Sequence, residues 1–312
     1  MSKTLEIHLA TYNGAAFLPD LLDSLLDQSD TSFVLKARDD GSSDETVDIL
    51  RGYEETFDGR LVLDVGGTPT GTAKGNFARL LENCASDYVL WADQDDVWER
   101  DKVAEQRRLL EKAESDFGDD CPIYAFTDAT PVDTNLKTIV ESYFDYKKLD
   151  PDTIGLLRQC LVCPPMIGCA SGVNRALYDL VLPVPEDEVT GHDWWAFLLA
   201  AACGRIVFSR KSTLRYRLHG SNVSQQQVNS IRSYAGSGNM RNRVRRGMML
   251  RWRQARAVSA RLPETAPEQS KDTIARFLEI EDMSAAMRRY ALLRHGFLYP
   301  DLNRSLAMLA LG

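Results

Sequence analysis

Hydrophobic positions along the first hundred residues alternate between two periods. Leu5–Ala10 reads as a buried strand, after which Phe17, Leu18, Leu21, Leu22, Leu25 and Leu26 recur at helical spacing. Phe33–Arg38 predicts the next strand and Thr46–Phe57 the next helix, with Ser42-Ser43-Asp44 ahead of it as a cap. Leu61–Val65 is a third strand, and Gly66, Gly67, Pro69 and Gly71 form a loop before a helix over Gly75–Cys84. Tyr88–Ala92 is a fourth strand, ending in Asp93-Gln94-Asp95-Asp96, and a charged amphipathic helix follows over Glu99–Glu114. This alternation predicts an α/β fold with a parallel, helix-covered sheet. Such sheets bind ligands beyond the carboxyl ends of their strands.

From Ile123 the pattern is mixed. Strands are expected at Ile123–Thr127, Ile167–Asn174, Ile206–Ser209 and Thr213–Arg217, and a helix at Asp193–Ala202. Beyond Asn222 the chain reads as helices to Leu311, without repeats or low-complexity tracts.

Composition narrows the class. With 312 residues, 44% hydrophobic and 26% charged, the chain is globular rather than disordered or collagen-like. Its size suits one large α/β domain with an appendage, or two domains. Formal net charge is −8, which does not suggest a nucleic-acid binder. The charge is unevenly spread. Residues 225–312 carry 15 Lys+Arg against 7 Asp+Glu, net +8, which leaves net −16 for residues 1–224. Six scattered cysteines do not make a disulfide framework, the start has no apolar signal core, and the longest apolar stretch, Trp194–Cys203, is about half a membrane span. A cytoplasmic address is the default.

Candidate chemistry gathers at the strand ends. Three carboxylates within four residues, Asp93, Asp95 and Asp96, repel one another unless a cation sits among them. Hard ions such as Mg²⁺ or Mn²⁺ use one or two carboxylates plus substrate phosphates. The alternative is an acidic helix start, with Asp96 capping the helix from Trp98; that accounts for one aspartate, not for Asp93 and Asp95. In Arg38-Asp39-Asp40-Gly41-Ser42-Ser43-Asp44 a carboxylate can accept from a nucleobase imide or a ribose hydroxyl, while Ser43 and Asp44 are explained by capping alone. Thr11-Tyr12-Asn13-Gly14 offers an aromatic ring to stack on a base, although a lone Tyr-Asn-Gly is usually only a turn. Cys160, Cys163 and Cys169 lack the second knuckle of a structural zinc site, so a buried apolar loop is expected there.

Taken together, Ala10-Thr11-Tyr12-Asn13-Gly14, Asp39-Asp40-Gly41-Ser42-Ser43-Asp44 and Asp93-Gln94-Asp95-Asp96-Val97-Trp98 resemble the ordered motifs of family 2 glycosyltransferases. Gly191-His192-Asp193-Trp194-Trp195 and Tyr216-Arg217-Leu218-His219-Gly220-Ser221-Asn222 resemble the rhamnosyltransferase-like branch of that family, and Leu293-Arg294-His295-Gly296-Phe297 does so weakly. The resemblance covers about residues 5–224. It implies a GT-A fold, a Rossmann-like mixed sheet flanked by helices, as a catalytic domain over 1–224, with a basic helical C-terminal extension over 225–312.

The resemblance also implies roles. Asp40 would read the pyrimidine, with Thr11, Tyr12 and Asn13 beside it and Asp39 nearby. Asp93 and Gln94 would face the donor, and Asp95 would bind a Mn²⁺ or Mg²⁺ ion bridging the diphosphate. Asp193 falls where the family places its catalytic base, although periodicity alone makes it a helix cap. His219 would be a further metal or phosphate contact. Lys74 could neutralise diphosphate charge or be a solvated surface lysine. His192, Trp194 and Trp195 would line an acceptor pocket, the tryptophans being either a sugar-stacking wall or core filler. The implied donor is dTDP-L-rhamnose, or else a UDP-hexose, and the implied acceptor is a lipid-linked cell-surface glycan.

Nine arginines between 232 and 261, with no acid among them, admit three readings: a solvated face, nucleic-acid binding, or peripheral membrane contact with Met240, Met248, Met249, Leu250 and Trp252 dipping into the interface. A homodimer interface is a rival to the membrane. For the whole chain, a nucleotidyltransferase is disfavoured because Thr11–Ala15 has no basic phosphate loop. A non-catalytic scaffold would tolerate loss of Asp95 or Asp193, and both are present.

Overall fold

The computed structural model describes residues 3–82, 84–163, 167–219 and 240–311. Its centre is an eight-stranded sheet in the order β3-β2-β1-β4-β7-β6-β8-β5. The first four strands are β1 (Leu5–Thr11), β2 (Val34–Asp39), β3 (Leu61–Asp64) and β4 (Tyr88–Asp93), and they pair in parallel. β1 is central among these and buried on both faces, as a parallel strand between helix layers must be. Between them run α1 (Leu18–Leu26), α2 (Thr46–Tyr53) and α3 (Ala73–Leu81). α1 buries Leu18, Leu21, Leu22 and Leu25 on one stripe, each such leucine contributing about 1.5–3 kcal/mol on burial. Thr72 caps α3 by accepting from the Gly75 amide at 3.0 Å.

The second half is mixed. β5 (Val97–Trp98) is followed by α4 (Lys102–Phe117), β6 (Ile123–Val132), the short helices α5 (Tyr143–Lys147) and α6 (Leu157–Cys160), β7 (Ser171–Asn174), α7 (Arg175–Val181), α8 (His192–Cys203) and β8 (Arg205–Arg217). β7 runs antiparallel to both β4 and β6, β6 pairs in parallel with β8, and β5 closes the edge antiparallel to β8. The parallel pairing expected from the alternation thus holds for β1 to β4, and the whole sheet is mixed, as the GT-A resemblance implies. The two strands expected at 206–209 and 213–217 are one strand, irregular where its register with β6 shifts around Asp128. The segment expected as a strand from Ile167 begins as a 3-10 turn, Gly168–Ala170.

The C-terminal helices are α9 (Met240–Arg261), α10 (Glu268–Glu279), α11 (Ala285–His295) and α12 (Leu302–Leu311). Met248, Trp252, Ala255, Val258, Ile274 and Phe277 join the hydrophobic core that begins at Leu5. The boundary expected at residue 224, Arg232 and the Gly220–Asn222 motif lie outside the described residues. Among the described residues no helix is long and apolar enough to cross a membrane.

Candidate active site

Three loops converge where the parallel strands end, and side-chain hydrogen bonds fasten them together. Asn13 takes a left-handed turn (φ 46°), its amide donating to Ser42 Oγ and its Oδ1 accepting from the Ser43 amide, both at 2.8 Å. Asp44 accepts from the Ala15 and Thr46 amides, so it joins two loops as well as bonding at the start of α2. Gln94 grips Tyr12 from both sides: its Oε1 accepts from the Tyr12 amide at 2.9 Å and its Nε2 donates to the Tyr12 carbonyl at 3.0 Å. Gly14 is needed beneath this clasp, because a Cβ there would collide with the Gln94 amide. The Tyr12 ring is left exposed above the loops.

The adjacent aspartates Asp39 and Asp40 face different partners. Asp39 accepts from Thr11 Oγ1 at 3.0 Å and from the amides of Gly41 and Ser42, so it shapes the turn. Asp40 accepts from Arg38 Nη1, the Thr70 amide and hydroxyl, and the Gly71 amide, at 2.7 to 3.0 Å. Burial would raise its pKa, yet hydrogen bonds from Thr70, Arg38 and Gly71 hold it below the usual carboxylate range. Both Asp40 oxygens are thus filled by Arg38 and the loop 68–71. Asn76, buried on α3, locks the same corner by donating to the Thr11 and Arg38 carbonyls and accepting from Arg38. Asn76 and Arg38 escaped the sequence reading because a buried polar pair has no periodic signature.

The acidic run ending β4 does not start a helix. α4 begins at Lys102, after β5, and the residue at its N-terminal boundary is Asp101. Asp96 is instead buried beneath β8, where Oδ1 accepts from the Arg217 amide at 3.0 Å and Oδ2 has no hydrogen-bond partner. This corrects the capping alternative for Asp96: the short strand β5 intervenes and turns its carboxylate inward. Burial and the charges of Asp95 and Asp93 push its pKa well above the usual value. Asp93 is pushed up to about 7 by burial first and then by the charges of Asp95 and Asp193. Ligand atoms of Asp93, Asp96 and Cys169 lie within 4.8 Å of one another.

Asp95 Oδ2 lies 2.7 Å from His219 Nε2, whose ring also packs against Phe17. Arg217 braces this corner from within. Its guanidinium donates to the Asp95 carbonyl, the Thr134 carbonyl and Asp20 Oδ2, and sits over the Phe17 ring. Lys102 is another buried cation, with its ammonium 4.7 Å from the Trp98 ring centroid; burial lowers its pKa to about 8. Neither cation was singled out from the sequence. Arg217 lay inside the quoted Tyr216–His219 motif, and Lys102 occupies the core-facing phase of α4 with Val103, Gln106 and Leu110.

Asp193 reaches the same pocket from the opposite side. Gly191 holds the N-terminal boundary of α8, and Asp193 lies inside the first turn, where its Oδ1 accepts from the Trp194 amide at 2.8 Å. It is therefore not the N-cap. Two glycines make room for its carboxylate: a Cβ would stand 3.1 Å from the Asp193 Cβ at Gly168 and 2.6 Å from Oδ1 at Gly191.

The neighbours expected to line an acceptor pocket are placed elsewhere. His192 is buried, stacked on Phe77 with centroids 3.9 Å apart and edge-on to Trp91; burial lowers its pKa to about 4. Trp194 and Trp195 are both core residues, their indoles donating to the Cys160 and Val181 carbonyls. An apolar ring with a satisfied N–H is most stable there, so they are filler rather than a sugar-stacking wall. Lys74 donates to the Glu186 and Val189 carbonyls, which commits its ammonium to tying α3 to the loop before α8. Cys160 bonds the Ile154 carbonyl, and Cys169 lies apart from it beside Asp93 and Asp96.

The sheet is mixed, its parallel half ends in an acidic pocket, and a carboxylate on a helix start faces that pocket. Comparison with known proteins places the chain. Residues 6–181 match the model of glycosyl transferase family 2, and the chain belongs to that family. It is 24% identical over 243 residues to the dTDP-rhamnosyl transferase RfbG of Shigella flexneri, covering 75% of this chain and 80% of that protein. Among solved structures it is similar to residues 1–349 of S. aureus TarS in complex with UDP-GlcNAc (TM-score 0.56, 17% identity, 94% of this chain and 80% of that one). It is also similar to the mannosyltransferase PcManGT of Pyrobaculum calidifontis in complex with GDP-Man and Mn²⁺ (TM-score 0.58, 17% identity, 95% and 74%).

Proposed function

We propose that the chain is a metal-dependent, inverting glycosyltransferase. On this reading it moves a sugar, L-rhamnose from dTDP-L-rhamnose first among candidates, onto a hydroxyl of a lipid-linked cell-surface glycan. The observation that carries this is the mutual field of Asp93, Asp95 and Asp193. Asp93 at the strand end is pushed up to about 7 by burial first and then by the charges of Asp95 and of Asp193 on the facing helix start. Such crowding opposes the folded state unless the pocket has a cationic occupant or a proton to move. The donor set is hard, carboxylate oxygens with one imidazole beside them, and it fits Mg²⁺ or Mn²⁺.

In this reading Asp95, with His219 and Asp93 beside it, holds the ion, which when bound takes up charge on the departing diphosphate. Asp193 accepts the acceptor's hydroxyl proton as that oxygen bonds to the anomeric carbon and the bond from that carbon to the diphosphate oxygen breaks, inverting the centre. Tyr12 stacks on the base. Asp40 reads it once the loop 68–71 gives up the carboxylate. Support for the rhamnosyl donor is the Shigella relative; the Pyrobaculum structure, with Mn²⁺ bound, supports the metal.

The test is release of nucleoside diphosphate and product analysis with dTDP- and UDP-sugars, with Mn²⁺ and with EDTA. Asp95→Asn should abolish metal-dependent transfer while the chain still folds and melts cooperatively. Asp193→Asn should lower kcat by about 10²–10⁴ with donor affinity nearly unchanged, the size of a lost general base. Full activity in EDTA would end the metal assignment, and normal specific activity in Asp193→Asn would end the base assignment.

A further inference from the structure

The arginine-rich helix α9 presents only part of the apolar set expected to enter a membrane, the Met240 side chain lying outside the described residues. Met248 and Trp252 are buried against the core, and Met249 and Leu250 are left exposed. More exposed apolar residues lie on the last two helices, α11 and α12.

α11 turns Ala291 and Leu292 inward and carries Met287, Tyr290 and Leu293 outward at steps of three, each more than half exposed. α12 buries Ser305 and Met308 and carries Leu302 and Leu306 outward at a step of four, both more than half exposed. Arg289 of α11 donates to the Ala310 carbonyl at the end of α12 at 3.2 Å, so the two helices touch there. Exposed apolar residues scattered singly are ordinary; three in a row of turns on one helix and two on the helix it touches are not.

Charge identifies the occupant. Neither α11 nor α12 contains an aspartate or glutamate, while Arg289 and Arg294 stand exposed among the apolar residues and Arg304 is half-buried at their edge. Nearby acids are committed or peripheral: Glu281 pairs with Arg256, Asp301 accepts from the Arg304 amide, and exposed Asp282 precedes α11. A two-fold dimer through this face would set arginines against arginines with no acid to pair them. A bilayer instead offers phosphates to the guanidiniums and an acyl boundary to leucine and methionine, with tyrosine at headgroup depth.

We propose that the outer face of α11 and α12 docks the protein on an anionic lipid surface. The inference deepens the lipid-linked acceptor reading, but its test does not depend on transfer activity. Flotation of the full chain should show binding at low salt to mixed phosphatidylglycerol–phosphatidylcholine vesicles and not to phosphatidylcholine alone. Two variants, Arg289→Ser with Arg294→Ser, and Leu302→Ser with Leu306→Ser, should each lower partitioning by about an order of magnitude or more. Donor hydrolysis in water should be unchanged in both, since these side chains do not touch the site, and the melting temperature should be unchanged in Leu302→Ser with Leu306→Ser, whereas Arg289→Ser also gives up the bond to the Ala310 carbonyl. The proposal is overturned if the wild type ignores anionic vesicles at low salt. It is overturned equally if both variants bind like wild type while Arg243→Ser, Arg245→Ser and Arg246→Ser together release the protein, which would move the contact to α9. A dimer in light scattering that Leu302→Ser with Leu306→Ser dissociates, without vesicle binding, would assign the face to a second copy of the chain.

Discussion

His192 and Asp193 are consecutive, yet the start of α8 gives them opposite environments. Asp193 enters the acidic pocket, while His192 turns into the core against Phe77, leaving its Nε2 without a partner. A histidine held neutral by burial makes stability depend on pH with a definite sign. Its ordinary value is 6.5 and its folded value about 4, so between those limits the unfolded chain binds the extra proton. Stability from this site is complete above 6.5 and falls as pH drops through that window, by at most about 3 kcal/mol. His192→Phe keeps a ring on Phe77 and removes the titration, so its denaturant midpoint should vary less than the wild type's between neutral and acidic pH. Parallel pH curves would mean that other groups govern the acid limb. At this scale the sequence displayed the carboxylates of the pocket, since acidic side chains at the end of an apolar strand have few other uses. It concealed Arg38, Lys102 and Arg217, whose burial depends on partners as far away as Asn76 and Asp96. The rings of Trp194 and Trp195 were ambiguous because a helix apolar on every side does not say which residues face a site.

Among elements, strand–helix periodicity carried β1 to β4 and α1 to α4 to within a few residues, because each unit folds against its neighbour in sequence. The second half was less legible. β6 pairs with β8 some 80 positions away, β5 has two residues, and α5 to α7 are too short to show a helical period. The junction of α8 and β8 shows how tightly this half is joined. Gly204 ends the helix, and the next amide, Arg205 N–H, donates to the Pro122 carbonyl at 2.8 Å to start the β6–β8 pairing. A Cβ at Gly204 would be driven into that carbonyl, which is backbone and cannot rotate away. Gly204→Ala should therefore cost about 2–4 kcal/mol, read as a lower denaturant midpoint with an unchanged slope. A loss under about 1 kcal/mol would show that the β6–β8 edge relaxes.

For the whole molecule, the charge split between residues 1–224 and 225–312 is a difference of surface, and residues of both stretches share one hydrophobic core. Several basic residues of α9 are spent on the catalytic half. Arg251 donates to the Val162 carbonyl, and Arg261 donates to the carbonyls of Leu180, Leu182 and Pro183 at the end of α7. Gln254, buried on the same helix, accepts from both the amide and the hydroxyl of Thr190 at 2.9 Å, directly before the Gly191–Asp193 turn. The C-terminal helices thereby buttress the segment that aims Asp193. Gln254→Met would leave two Thr190 donors unpaired, at a cost of about 1–3 kcal/mol, and should lower kcat more than it raises the donor KM. Ending the chain at residue 224 removes this support altogether and uncovers the apolar surface that Met248, Trp252 and Phe277 now close. Such a fragment should lack a cooperative melting transition and release no nucleoside diphosphate. If it melts cooperatively and turns over donor at the full-length rate, the C-terminal helices are a separable module, and their contacts to Thr190 and Val162 do not position Asp193.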